Sequence, residues 1–167
     1  MKTILIAVQT VNGIFSINRD SLTNWSSKED KEYYKKITKN SGVVIMGRRT
    51  YDTLKEPLRD RFNVVMTKYP EKYISKDNLF FTDMKPPVIL NYLKNKGYKE
   101  VVISGGQTIN TLFLNENLID EIHLSIEPKI FHGELGMFSE NMQKQNLSLL
   151  KYEKKGNNIV IIYKVKK

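Results

Sequence analysis

Four short runs constrain this chain more than anything else in it: "ILIAV" (4–8), "GVVIMG" (42–47), "FNVVMT" (62–67) and "EVVISGG" (100–106). Each is almost wholly apolar and rich in β-branched residues. Runs of that length and character read as strands, and the first, second and fourth as strands covered on both faces. Helical spacing fills the gaps between them. A helix is expected from about Lys28 to Thr38 and a short one over 49–54. "PPVILNYLKNKG" (86–97) reads as a helix with Pro at its start and Gly at its end, and "QTINTLFLNENL" (107–118) as another. "LFFT" (79–82) is a short strand, and "EIHLSIEPKIF" (121–131) is a strand that breaks or ends near Pro128. The tail offers two alternating segments, "LSLLKYEKK" and "NIVIIYKVK", joined by "GNN", which is a hairpin signal.

Strand–helix alternation of this kind specifies an α/β fold. A mainly parallel central sheet carries helices on both faces, and a C-terminal antiparallel hairpin extends one edge. There is no repeat, low-complexity tract or linker, so residues 1–167 read as a single domain. Ligands in such sheets bind outside the carboxyl ends of the strands, near the point where strand order reverses.

Composition removes several classes of function. Hydrophobic residues make up 40% of the chain, which argues against disorder, and there is no cysteine, which excludes disulfides and thiolate chemistry. The opening "MKTILIAVQT" is too short an apolar run for a signal peptide, and no segment approaches the roughly 20 apolar residues of a membrane span. The cytoplasm is therefore the expected compartment. The net charge of +9 fits a solvated lysine-rich surface, a nucleic-acid-binding face, or a basic cleft for an anionic small molecule. The two histidines, His123 and His132, have no second ligand at useful spacing, so no metal is expected, and no G-x-S-x-G marks a serine nucleophile.

Three features fall just past strand ends. "MGRRTY" (46–51) puts a glycine, two arginines and a threonine where a helix opens; it suits an anion, or a structural turn with solvated arginines. "ISGGQTI" (103–109) places two glycines between a strand and a helix, as a close-approaching phosphate or a tight turn requires. "MTK" (66–68) could hold a further phosphate through Thr67 and Lys68, or be plain surface. Two anion-binding strand ends together suit a dinucleotide's pyrophosphate.

"WSSKEDKEYYKKI" (25–37) raises a different question. Ser26 or Ser27 can cap the helix, and Tyr34 and Ile37 form its apolar stripe. Asp30, four residues before Tyr34, falls on that same stripe. A carboxylate there either caps the helix, pairs with a lysine, or does chemistry.

At this point the chain resembles the dihydrofolate reductases. "VVIMGRRTYDTLKEPLRDRFNVVMT" is similar to that family's central segment: strand, M-G-R-x-T, short helix, P-L-x-x-R, then N-V-V. The likeness runs from Ile4 to about Phe131, with the closing hairpin also expected. The spacing from Trp25 to Asp30 matches the family's W-x4-acid, and the glycines at 105–106 fall where its cofactor-binding pair lies. "NLIDEIHLSIEPKIFHGE" (117–134) looks instead like the riboflavin-pathway pyrimidine reductases, which share the fold and NADPH. A prokaryotic lineage of dihydrofolate reductases that begins its first helix as in "WSSKED" resembles the chain most closely.

The resemblance implies a dihydrofolate reductase-like fold and NADPH-dependent reduction of 7,8-dihydrofolate to tetrahydrofolate. Asp30 would grip the pterin's amino group and ring N–H and promote protonation of N5. Ser125 would stand in for the family's threonine, which bonds both carboxylate and pterin. Arg61 would pair with the α-carboxylate of the glutamyl tail, a task suited to a guanidinium fork. Ile6, Val8, Tyr34, Thr53, Leu54 and Leu58 would line the folate pocket. NADPH would rest on Ala7, Gly13, Ile14, Gly47, Arg48, Arg49 and Thr50, then Thr67 and Lys68, then Ser104, Gly105, Gly106, Gln107, Thr108 and Ile109. The loop at 12–24 would act as a lid over the nicotinamide.

The chain departs from the family pattern at Lys31, where leucine is common, at Ser104, which replaces an apolar residue, at Asn110, which replaces a tyrosine, and in a slightly longer lid. A small-molecule substrate is the expected partner, with neither nucleic acid nor membrane, and monomer and homodimer both stay open. The alternative reading is an NADPH-dependent reductase of a ribosylaminopyrimidine phosphate. A basic nucleic-acid-binding module is the distant third.

Overall fold

The apolar runs come together in a computed structural model as one eight-stranded sheet, which describes residues 1–18, 21 and 24–167. In chain order the elements are β1 (Lys2–Thr10), α1 (Lys28–Ser41), β2 (Val43–Gly47), α2 (Arg48–Leu54), β3 (Phe62–Met66), β4 (Leu79–Thr82), α3 (Pro86–Asn95), β5 (Glu100–Ile103), α4 (Gln107–Asn115), β6 (Glu121–Glu127), β7 (Asn146–Lys155) and β8 (Asn158–Lys166). The strands lie in the order β4-β3-β2-β5-β1-β6-β8-β7. The first six in that row run parallel; β8 pairs antiparallel with β6, and β7 antiparallel with β8.

Side-chain alternation along the central strands splits the core in two. Leu5, Val43, Ile45, Val64, Val101 and Ile103 face α3 and α4, where they meet Ile89, Leu93 and Phe113. Ile4, Ile6, Val44, Met46, Val65 and Val102 face the other way, onto Tyr33, Tyr34 and Ile37 of α1 and Tyr51 and Leu54 of α2. Both faces of the parallel strands are therefore covered, which is why their sequences read as unbroken apolar runs.

Helix ends account for most boundary differences. α1 starts where Ser27 Oγ accepts the Asp30 N–H at 3.1 Å, and it runs to Ser41, past the expected Thr38, until Gly42 turns it off at φ +72°. α3 stops at Asn95 rather than at 97, before Gly97 at φ +89°. α4 stops at Asn115 rather than 118, because Asn117 takes a left-handed conformation at φ +55° and the Leu118 N–H returns to the Phe113 carbonyl. β5 ends at Ile103, since Ser104 to Gly106 form the turn into α4. β6 ends at Glu127, one residue before Pro128, which has no N–H to continue a ladder.

Candidate active site

The reversal in strand order occurs around β1, β5 and β2, and a cavity of about 890 Å³ opens at their carboxyl ends. Its walls come from β1, from α1, from the segments after β2, β3 and β4, and from the turn into α4. Asp30 is on this wall. It sits in the first turn of α1 and is only 8% exposed. Burial pushes its pKa above the ordinary carboxylate range. The nearby Ser125 and Ser26 hydroxyls pull it down, the Glu127 charge adds to the rise, and Lys31 opposes it. Ser125 Oγ makes no hydrogen bond of ordinary geometry with any described residue, so it acts on Asp30 as a nearby dipole. Trp25 Nε1 is likewise buried without a partner among the described residues, while the indole ring packs edge-on against Phe131 at 5.2 Å.

Ile6, Ala7, Val8, Tyr34, Thr53 and Leu54 line the cavity together with Asp30. Tyr34 Oη and Ser104 Oγ are 2.6 Å apart, and burial raises the pKa of the phenol. Three predicted substrate residues take other places. Ser125 lies in register with Val8, is 1% exposed and stands behind the wall. Leu58 packs into the α1–α2 side of the core, where its N–H and carbonyl are both held by the Asn63 side chain. Arg61 is buried off the wall: Nη1 donates to Thr38 Oγ1 at 2.9 Å and Nε to the Arg59 carbonyl at 2.8 Å.

The strand-end glycines meet as the sequence suggests. The Gly47 N–H donates to the Gly105 carbonyl at 2.8 Å, so the turn after β2 and the turn after β5 form one ledge. Gly47, Arg48, Arg49, Thr50, Thr67, Lys68, Ser104, Gly106, Gln107, Thr108 and Ile109 all line the cavity. A Cβ on Gly106 would approach Thr50 Oγ1 to 3.3 Å, and one on Gly47 would approach Ile109 Cγ1 to 3.0 Å. The bare ledge, with Arg48, Arg49, Lys68 and Lys72 on the same cavity wall, fits a phosphate-bearing dinucleotide. The Gln107 side chain, however, is committed to protein: its Nε2 donates to the carbonyls of Gly136 and Phe138. Gly105 lies beneath the ledge at φ +89°, against Phe15.

Gly13 and Ile14 stand off the wall, in the turn after β1, where the Ile14 N–H is held by Thr10 Oγ1. The neighbouring Phe15, Ser16, Asn18 and Ser21 line it instead. This part of the expected lid is stitched to the segment after β6: the Phe15 N–H donates to the Leu135 carbonyl at 2.8 Å and the Glu134 N–H to the Ile17 carbonyl at 2.9 Å. Residues 19, 20, 22 and 23 of that loop lie outside the described residues. Tyr69, Lys72 and Tyr73 also border the cavity and were not anticipated. Two tyrosines and a lysine directly after "MTK" were the available signal.

Among the described residues no helix is long and apolar enough to cross a membrane. The family profile described as dihydrofolate reductase matches residues 2–162. The dihydrofolate reductase of Ureaplasma parvum serovar 3 is 29% identical, over 98% of this chain and 97% of its own length. The dihydrofolate reductase of Enterococcus faecalis, solved with NADP(H) and RAB-propyl, superposes with a TM-score of 0.75 at 19% identity, covering 99% of this chain and 97% of that one. A pyrimidine reductase-like protein of Corynebacterium diphtheriae superposes with a TM-score of 0.80 at 16% identity, covering 99% and 92%. With the profile spanning almost the whole sequence, the chain belongs to the dihydrofolate reductase family of NADPH-dependent oxidoreductases.

Proposed function

We propose that this chain reduces 7,8-dihydrofolate to tetrahydrofolate with NADPH. The observation that carries the reading is Asp30: a carboxylate 8% exposed on the wall of the cavity that also contains the Gly106 ledge. A pterin edge presents a row of N–H donors within a flat apolar ring. A desolvated carboxylate between Ile6, Val8 and Tyr34 is a matching acceptor. NADPH, when bound, supplies the hydride that goes to C6.

The protein's own part is to bind, orient and exclude water. The ledge of Gly47 and Gly106 would receive the pyrophosphate, and Arg48, Arg49, Thr67 and Lys68 the outer phosphate. Asp30 would hold the pterin's amino group and ring N–H. Its raised pKa keeps a proton available to the site at higher pH than an ordinary carboxylate does, which favours protonation at N5. Ser125, behind Asp30, has a hydroxyl free to join that network.

A second reading has specific support. Arg61, the residue expected at a glutamyl tail, is turned into the protein, whereas Lys31 is on the cavity wall. A cation beside the acid also suits the phosphate of a ribosylaminopyrimidine, and the Corynebacterium diphtheriae neighbour is named as pyrimidine reductase-like. An NADPH-oxidation assay with each substrate in parallel separates the two. Turnover of dihydrofolate, lost in Asp30→Asn, is the expected outcome. Turnover of the pyrimidine alone would replace the first reading with the second.

A further inference from the structure

We propose that Glu127 is a positioning residue for Asp30, acting through a buried clamp that joins β6 and β8 to the first turn of α1. The Glu127 side chain is at the end of β6 and is 1% exposed. Its Oε1 accepts the Ser27 N–H at 2.7 Å and an Asn158 Nδ2 hydrogen at 2.9 Å. Asn158, the first residue of β8 and 2% exposed, donates from the same nitrogen to Ser27 Oγ at 2.5 Å. Ser27 Oγ in turn accepts the Asp30 N–H. Ser27 thus has both its backbone and its hydroxyl held, and through it the turn that carries Asp30.

Two further observations distinguish this from ordinary helix capping. Ser27 alone already satisfies the cap, and a serine hydroxyl is all that a cap requires. Burying a second carboxylate is costly unless it is hydrogen-bonded, and here the cost is met beside the site. The hairpin turn also touches the same helix turn. A Cβ on Gly156 would come within 2.9 Å of Glu29 Cγ, so the hairpin backbone is already in contact with α1. The helix start is therefore located against the antiparallel edge of the sheet as well as by its own apolar stripe.

The charged and titratable groups facing Asp30 are Glu127 from β6 and Lys31 and Tyr34 from α1. Of these, Glu127 is the carboxylate whose charge raises the Asp30 pKa. Removing that charge should let Asp30 ionise at lower pH; removing the side chain should also loosen the turn.

The test compares Glu127→Gln, Glu127→Ala and Asn158→Ala. The Asp30 carboxyl is titrated by carbon-13 NMR of aspartate-labelled protein, with the resonance assigned through Asp30→Asn. Turnover against pH and NADPH affinity are measured alongside. Glutamine keeps an acceptor for Ser27 without the charge, so the Asp30 midpoint should move to lower pH, and the pH at which the chemical rate falls should move down with it. Glu127→Ala and Asn158→Ala should lower kcat roughly 10- to 100-fold with NADPH affinity unchanged, as expected for a misplaced catalytic group. An Asp30 midpoint unmoved in Glu127→Gln, with full turnover in Asn158→Ala, would overturn the proposal and leave the clamp a purely structural contact. If Glu127→Ala fails to fold, the other two variants still decide it. The kinetic arm rests on the proposed function. If the parent protein turns over neither substrate, that reading fails, and the NMR midpoint decides this one alone.

Discussion

Tyr34 Oη and Ser104 Oγ, 2.6 Å apart, tie the helix that carries Asp30 to the turn that carries Gly105 and Gly106. Seventy residues of chain separate the partners. This bond between hydroxyls, one of them on a phenol whose pKa burial raises, helps register the two halves of the cavity to each other. Tyr34→Phe should cost about 1 kcal/mol of stability, with a similar value for Ser104→Ala. Because the two hydroxyls satisfy each other, the double variant should cost less than the sum. Urea denaturation of the four proteins gives the coupling, expected at about 0.5–1.5 kcal/mol. Strict additivity would mean that the bond contributes nothing to joining the two halves.

Asp30 predicts opposite changes in activity and stability. Its folded pKa lies above the unfolded value of 3.8. The sign of the linkage follows: its favourable contribution is fully present below pH 3.8 and is lost as pH rises through the higher folded pKa. Above that folded pKa the protein holds a buried charge that it would be more stable without. Asp30→Asn should therefore raise Tm, by about 2–4 °C for each kcal/mol relieved in a chain of this size. The same change should lower kcat by 100-fold or more, since it removes both the proton and the acceptor. In the parent protein, the rate of the chemical step should fall as pH rises past the shifted pKa. A pH-independent chemical step, or an Asn variant that is both less stable and fully active, would contradict this account.

The parts of this arrangement that were legible in the sequence are those encoded by local pattern. The doubly covered strands announced themselves as apolar runs, and Pro86, Gly97 and the "GNN" turn punctuated the elements correctly. Asp30 could be found because a charge broke the stripe of an amphipathic helix. What could not be read was the direction of long side chains. Arg61 belongs to a recognisable P-L-x-x-R segment, yet Thr38 and the Arg59 carbonyl claim two of its donors. Gln107 follows the glycine pair but spends its amide on the carbonyls of Gly136 and Phe138. The clamp of Ser27, Glu127 and Asn158 joins residues up to 131 positions apart, and nothing in local spacing marks a glutamate before a proline as buried.

The glycines of the ledge should separate cleanly by substitution. Gly106 sits at φ −70°, which any residue adopts, and an added methyl would meet only Thr50 Oγ1, at 3.3 Å. Gly106→Ala should therefore cost less stability than the same change at Gly105, while filling the surface proposed to receive the pyrophosphate. NADPH affinity should fall about tenfold or more, near 1.4 kcal/mol. Gly105 is at φ +89°, so Gly105→Ala should instead cost about 1 kcal/mol or more of stability. Calorimetric titration with NADPH and thermal melts of both variants check the contrast.

A last prediction concerns acid. His123 is 6% exposed on β6, with Nδ1 2.8 Å from Tyr33 Oη and Nε2 3.1 Å from Glu121 Oε2. Burial holds its pKa below 6.5 despite the carboxylate beside it. For a base with a depressed folded pKa, the unfolded chain takes up the proton first as pH falls. Its stabilising contribution is complete above pH 6.5 and is lost between 6.5 and the lower folded value. Glu121 works in the same direction further down: burial raises its pKa, but hydrogen bonds from Lys2 and His123 together outweigh it and hold the pKa below 4.5, so its contribution is lost as pH falls through that lower folded value. Asp30 opposes both, so the comparison has to be between variants at each pH. His123→Asn should flatten the fall in stability between about pH 7 and pH 5, where one differentially bound proton contributes at most about 1.4 kcal/mol per pH unit. The variant pays for this with a lower stability at pH 7, because Tyr33 and Glu121 lose a shared partner. If urea denaturation across that range gave parallel curves for parent and variant, His123 would not be the group taking up the proton.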